Sequence, residues 1–176
     1  LIRRQGVGTF VRSYKDTGLW NRFQKFMRKD GRLPVFESNP LRLEIIPAPE
    51  NVAEKMKIMP GDPVIRCLRD MSDNGERTGV DVAYLDLATF RDLKIEDLED
   101  VKGNLYKLYE EKLGVFIADV TDILEFVIVD KEIQKICDLP LGTPLFFVTR
   151  QSRLLNKKTV EIRYEYCSAV NYRLRI

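Results

Sequence analysis

Two stretches of this chain follow one plan, and any fold assigned to it must house both. Val52 to Val64 and Ile133 to Leu145 each pass from a helical pattern through a glycine turn to a proline that opens a strand. Each strand then carries an arginine, Arg69 or Arg150, and is followed by a turn and a returning strand that carries an acid, Asp81 or Glu161. An internal duplication of this kind sets the two arginine and acid pairs in comparable positions of one sheet.

The rest of the pattern agrees with a sheet of antiparallel strands. Val64 to Met71 and Val80 to Leu85 alternate and flank Ser72-Asp73-Asn74-Gly75, the signature of a hairpin. Leu33 to Ala48 reads as extended, with Pro34, Pro40, Pro47 and Pro49 at its bends and ends, and Glu50 to Met59 as a short helix. A helix from Asn104 to Leu113 presents Leu105, Leu108 and Tyr109 on one face and stops at Gly114. Phe116 to Val129 is a long strand, after which Asp130 caps a helix carrying Ile133, Ile136 and Cys137. Pro144 to Leu154 and Thr159 to Ser168 close the sheet, joined around Asn156-Lys157-Lys158. The fold class is α+β, with a mostly antiparallel β-sheet flanked by helices.

Length and composition bound what such a body can do. The 176 residues, 44% hydrophobic, suffice for one main core. The net charge of +2 hides an asymmetry, because residues 1–32 hold nine Lys/Arg against Asp16 and Asp30. That gives the N-terminal stretch +7 and the remainder −5, a basic arm on a mildly acidic body, suited to a chain with one end on nucleic acid. Cys67, Cys137 and Cys167 are far apart and form no Cys-x-x-Cys pair, which fits a reduced, cytoplasmic protein. No apolar run nears 18 residues, so membrane spanning is not expected. The absence of His removes histidine triads, most zinc hydrolase sites and the commonest general base, and no phosphate-binding or dinucleotide fingerprint is present. No cofactor and no metal are expected.

The first eleven residues read as an exposed basic hairpin. Leu1-Ile2 and Thr9-Phe10-Val11 are short β-prone runs around Gln5-Gly6-Val7-Gly8, whose glycines tolerate the positive φ of a tight turn. Arg3 and Arg4 then stand at the base of a protruding tip, where guanidiniums suit phosphate oxygens or a narrow minor groove. An ordinary surface hairpin with two solvated arginines has the same pattern. Residues 12–18 are polar and read as a linker, and Thr17 to Asp30 as a connector helix with Leu19, Phe23, Phe26 and Met27 on its apolar stripe.

The run Ile2-Arg3-Arg4-Gln5-Gly6-Val7-Gly8-Thr9-Phe10-Val11 resembles the wing that closes the winged helix-turn-helix domain of GntR-superfamily regulators. From about Leu33 to Ile176 the chain resembles a UTRA domain, the effector-binding module of the HutC-like subfamily. The resemblance rests on Pro60-Gly61-Asp62-Pro63-Val64-Ile65, Asn104-Leu105-Tyr106 leading to Glu111-Lys112-Leu113-Gly114, Leu141-Gly142-Thr143-Pro144-Leu145, Thr159-Val160-Glu161 and the closing Tyr172-Arg173. It implies a chorismate-lyase-like fold, a small-molecule site between sheet and helices, and a homodimer. It further implies that 1–11 is the remnant wing of a longer protein's DNA-binding domain, 12–32 a basic linker and connector, and 33–176 the effector-binding and dimerisation domain. The partners expected are operator DNA, read by the N-terminal domain, and a small metabolite effector, anionic if Arg69 and Arg150 point inward. The function expected is that of a ligand-responsive transcriptional regulator, a repressor. A chorismate-lyase-like enzyme and a ligand-free dimerisation module are the alternatives.

Carried onto this sequence residue by residue, the resemblance implies a ligand set of Arg69, Asp81, Asn104, Arg150, Glu161 and Tyr166, and a DNA-contacting set of Arg3, Arg4, Gln5, Gly6, Gly8 and Thr9. Arg69 shares a strand face with Ile65, Cys67 and Met71, and there it is either a ligand residue or a salt-bridged arginine. The second arginine of the family's Arg-x-Arg pair is Met71 here, its usual Tyr is Cys167, and its Asp before the final Tyr-Arg is Val170. Asp81 is either the counter-ion of Arg69 or a ligand acceptor, and Asn104 either a plain helix cap or part of an anion site. Alternation sets Glu161 with Arg163 and Glu165 opposite Val160, Ile162, Tyr164 and Tyr166, so that its face is expected to be solvated.

Overall fold

A computed structural model of the chain describes residues 2–4, 8–10, 26–99 and 104–174. Near the N-terminus, β1 (Ile2–Arg4) pairs antiparallel with β2 (Gly8–Phe10), with Arg3 opposite Thr9 and Arg4 opposite Gly8. Gln5, Gly6 and Val7 of the expected turn lie outside the described residues. So do residues 17–25 of the expected connector helix. Its last part is not helical: β3 (Phe26–Arg28) is a strand. The physical reason is a long-range partner that periodicity cannot foresee, since Met27 lies opposite Arg173 in a two-stranded ladder and Phe26 is buried against Phe36 and Phe146.

The body is one six-stranded antiparallel sheet. Its first half runs β4 (Phe36–Pro47), α1 (Glu50–Met56), β5 (Pro63–Asp73) and β6 (Glu76–Asp86). Between β5 and β6, Asn74 at φ 54° and Gly75 at φ 79° make the tight turn expected of this hairpin. Two short helices that the apolar periodicity does not announce, α2 (Leu87–Phe90) and α3 (Ile95–Glu99), then precede α4 (Leu105–Leu113). The second half runs β7 (Asp119–Ile128), α5 (Lys131–Cys137), β8 (Pro144–Arg153) and β9 (Thr159–Ser168). The closing strand β10 (Tyr172–Leu174) is the partner of β3. In space the order is β4-β5-β6-β9-β8-β7, so the two halves meet at the β6–β9 seam as mirror-ordered sets of three strands.

The duplication is visible in backbone detail. Both α1 and α5 end on a left-handed residue that is not glycine, Lys57 at φ 59° and Asp138 at φ 51°. The following glycine donates back to the residue before the helix in each copy, Gly61 to the Ala48 carbonyl (3.0 Å) and Gly142 to the Val129 carbonyl (2.9 Å). Ala48 and Val129 in turn donate to the carbonyls of Asp62 (2.8 Å) and Thr143 (2.9 Å). Both helices pack on the same side of the sheet, α1 over Val64 and Ile162, α5 over Val80 and Leu145.

The other side is covered by the α2–α4 layer at one end and by the β3–β10 ladder at the other. Under the helices lie Ile65, Cys67, Ala83 and Leu85 with Phe90, Leu105, Leu108 and Tyr109. At the other end, Phe26 and Tyr172 of the ladder pack on Phe146, Val148 and Cys167. Among the described residues no helix is long and apolar enough to cross a membrane. All three cysteines are free and buried, and burial pushes the Cys67 thiol up to about 12, far from a reactive thiolate.

Candidate functional site

Cross-strand register turns the face beneath α4 into rows of side chains, and two of these rows are polar. One reads Cys67, Ala83, Arg163, Arg150, Asp122 and the next Arg69, Asp81, Glu165, Val148, Leu124 across β5, β6, β9, β8 and β7. Glu161 and Ser152 stand opposite each other in the row toward the helices. A belt of charge therefore crosses the sheet between two apolar clusters. Strand β9 is central and covered on both sides, which is why alternation misreads Glu161: its face is interior, and the side chain is 0% exposed.

Buried charge has to be paired, and the belt obeys that rule with three arginines and their acids. Arg69 donates through Nε to Asp81 Oδ1 at 2.9 Å and through its terminal nitrogen to Oδ2. Arg150 binds Asp122 in the same two-point fashion, at 2.7 and 2.8 Å. Arg163 donates to Glu161 Oε1, at 2.8 Å from Nε and again from a terminal nitrogen. Glu161 Oε2 accepts from Ser152 Oγ at 2.7 Å, and Ser152 Oγ shares a hydrogen bond of 2.9 Å with the Tyr106 hydroxyl of α4. The Arg163 guanidinium also lies over the Tyr106 ring, 5.2 Å from its centre. Burial opposes the charge on Arg163, but Glu161 together with Tyr106, Asp81 and Tyr109 outweighs it, and the guanidinium is held firmly protonated.

Two polar groups at this face differ from the rest. Glu165 stands between Asp81 and Val148 and makes no hydrogen bond or ion pair with a described residue. Burial pushes its carboxyl above the usual value; Asp81 and Asp122 add to the rise, while Arg150 and Arg163 pull against it. Tyr109, fully buried on α4, has a hydroxyl with no hydrogen-bond partner, and burial raises it well above an ordinary tyrosine.

The expected ligand set is thus partly gathered. Arg69, Asp81, Arg150 and Glu161 share the inner face, and each of the two arginines is engaged by an acid. Asn104 caps α4, accepting from the Lys107 amide at 3.1 Å, two residues from Tyr106. Tyr166 does not join them: it lies on the opposite face among Leu68, Val80 and Leu145, its ring tilted against Phe147. Its odd-even position in β9, opposite to that of Glu161, already implied this separation. The register also corrects the expected equivalence of the two pairs. Asp81 faces Arg69 across the ladder, whereas the residue that faces Arg150 is Arg163, and Arg150 turns to Asp122 on β7 instead. Asp122, Ser152, Tyr106, Arg163 and Glu165 escaped the sequence reading; the polar side of the β9 alternation was the available signal for the last two. Of the expected DNA-contacting residues, Arg3, Arg4, Gly8 and Thr9 lie in the β1–β2 ladder, and Gln5 and Gly6 outside the described residues. Among the described residues no group of three metal-ligating side chains is placed to hold an ion.

A second polar node joins the belt to the N-terminal side. The Asp73 carboxylate, at the far end of β5 from Pro63, accepts from Arg28 Nε (2.7 Å), the Tyr172 hydroxyl (2.8 Å) and the Val35 amide (3.2 Å). Burial alone would raise this carboxyl, but the bonds from Arg28 and Tyr172 outweigh it and hold it below the usual range.

Comparison with known proteins gives this arrangement a family. The UTRA domain model matches residues 35–173, nearly all of the body. Over 171 residues the chain is 28% identical to the HTH-type transcriptional regulator YurK of Bacillus subtilis, covering 96% of this chain and 67% of that protein. The ligand-binding domain of a protein assigned to the GntR family of transcriptional regulators, from Bordetella bronchiseptica, superposes with a TM-score of 0.80 at 27% identity, over 88% of this chain and 96% of that one. PhnF of Mycobacterium smegmatis shares the fold, with a TM-score of 0.64 at 18% identity over 77% of this chain and 59% of that one. The chain belongs to the UTRA domain family, and its relatives are transcriptional regulators of the GntR family.

Proposed function

We propose that this chain is the effector-binding and dimerisation part of a HutC-like transcriptional repressor, non-enzymatic and cytoplasmic, whose operator is read by a winged helix-turn-helix domain ending in the β1–β2 hairpin. The observation that carries the reading is the buried belt of Arg69, Asp81, Arg150, Glu161 and Arg163 between two apolar clusters, in a domain whose relatives regulate transcription. A packed core has no need of so many ions in one layer, whereas a small polar effector does. The expectation of an anionic effector rested on inward arginines alone. With Asp81 and Asp122 on those arginines, the described belt offers acids as well as guanidiniums, and the effector is read as polar with both kinds of group.

The route for coupling is short. Strand β5 carries Arg69 in the belt and Asp73 in the node that grips Arg28, at the end of the basic segment. An effector that favours one arrangement of β5 shifts the placement of β3 and of the chain leading to the hairpin. Support for a homodimer comes from edge strand β7, where Ile123, Phe126 and Ile128 are exposed.

The test uses the full-length regulator on its operator. Charge reversal at Arg69, with Arg69→Gln as the gentler variant, abolishes release by the effector and spares basal DNA binding; unchanged release by both variants removes Arg69 from the site. Replacing Arg3 and Arg4 together weakens operator binding and flattens its salt dependence, and an unchanged slope takes the hairpin off the phosphates.

A further inference from the structure

We infer that Glu165 is the residue of the belt that selects the effector, and that it takes a cationic nitrogen, a primary amine or a guanidine. The inference rests on the effector-site reading above. Neither the duplicated arginine and acid pairs nor the family motifs include Glu165, and it was not a candidate from the sequence.

The charge inventory points to a cation. Among the described residues the belt holds the guanidiniums of Arg69, Arg150 and Arg163 against the carboxylates of Asp81, Asp122, Glu161 and Glu165. Asp81, Asp122 and Glu161 are each bonded twice to one guanidinium, and Glu165 is bonded to none. An ionised carboxylate only accepts hydrogen bonds, and a half-buried one without a donor is costly. Asp81 beside it on the neighbouring strand is bonded to Arg69, and the guanidiniums of Arg150 and Arg163 are engaged by Asp122 and Glu161, so Glu165 is the carboxylate of the belt left to receive a cation. Its position fits recognition better than structure. The β8 neighbour is the apolar Val148, the carboxylate closes no ladder or cap, and the Cys167 and Phe146 row on its other side gives a carbon skeleton an apolar wall. The donor chemistry left open at this point is that of an ammonium or guanidinium group, which replaces the missing partner with a charge-assisted hydrogen bond.

The experiment measures binding to the full chain by thermal shift and calorimetry, using probe pairs that differ only in the cationic group. The pairs are lysine with 2-aminohexanoate, arginine with citrulline, and putrescine with butane-1,4-diol. The expected result is saturable binding of at least one cationic member, with its partner at least tenfold weaker. Glu165→Gln brings the two members of that pair within about twofold, and Glu165→Asp, which keeps the charge, restores the preference. Binding of no cationic member, or a cation preference unchanged in Glu165→Gln, overturns the inference. Should Glu165→Gln fail to fold, the loss of the preference in Glu165→Asp, whose charge is retained, overturns it as well. If inorganic phosphate or 2-aminohexanoate instead binds wild type and Glu165→Gln equally but not Arg69→Gln, the belt is the effector site and Glu165 does not select. Binding indifferent to both Arg69 and Glu165 overturns the site reading too.

Discussion

In the half of the sheet made by β4, α1, β5 and β6, the buried arginine faces an acid across the ladder, and Arg69 and Asp81 close on each other. In the half made by β7, α5, β8 and β9, the same cross-strand place holds a second arginine, and Arg150 and Arg163 have to look elsewhere, to Asp122 and Glu161. The backbone plan is the same to the level of individual turn hydrogen bonds; the side-chain chemistry is not. One half joins its arginine and acid directly across the ladder. The other is an open network that reaches Ser152 and Tyr106, and it borders on the unpartnered Glu165.

This contrast breaks most visibly if the two acids prove interchangeable. Asp81→Ala removes the carboxylate that Arg69 bonds at two points in the core, and is expected to cost about 3–5 kcal/mol in urea unfolding. Asp122→Ala is expected to cost less, about 1–3 kcal/mol, because Arg150 keeps the charge of Glu165 nearby. Equal losses at the two sites contradict the distinction between a direct cross-ladder pair and an extended network.

The seam between the halves gives the next effect. Gly79 lies opposite Cys167, and a Cβ there would come 1.7 Å from the Tyr166 carbonyl oxygen, closer than any real contact. Since that oxygen belongs to the neighbouring strand backbone, Gly79→Ala has to part β6 from β9. A loss of about 2–4 kcal/mol is expected, with faster amide exchange along β9. A neutral substitution means that the halves are less tightly joined than the register implies.

The smallest effect sharpens the picture of the open half. Glu165 has its folded-state carboxyl above the ordinary 4.5, because burial penalises its charge. Its contribution to stability is therefore fully present below that value and is lost as pH rises through the raised one. Glu165→Gln removes this loss. The variant is expected to gain on wild type at pH 7.5 and to show no gain at pH 4, read as the difference in Tm across the range. A gain that is flat with pH contradicts the half-buried, unpaired carboxylate.

Much of this was legible in the sequence because local rules decided it. The Asn74-Gly75 turn, the Asp130 cap and the duplicated helix and glycine turn follow from chemistry within a few residues. Phe26 to Arg28 failed that test, since an apolar stripe at helical spacing was overridden by a strand partner almost at the other end of the chain. The site divided in the same way. Arg69 and Asp81 were read as a pair because one hairpin joins them, while Asp122 and Arg163 needed the spatial order of β7, β8 and β9. Glu161 was misjudged because alternation identifies two faces but not which one is interior, and a central strand buries both.

The central claim is that the effector enters the belt on the α4 side of the sheet. Amide hydrogen exchange of the full-length regulator, with and without a compound that releases it from its operator, tests this directly. The account predicts slowed exchange in α4 and in β9 around Arg163 to Glu165, with α1 and α5 unchanged. Protection confined to α1 and α5, on the opposite side of the sheet, would contradict it.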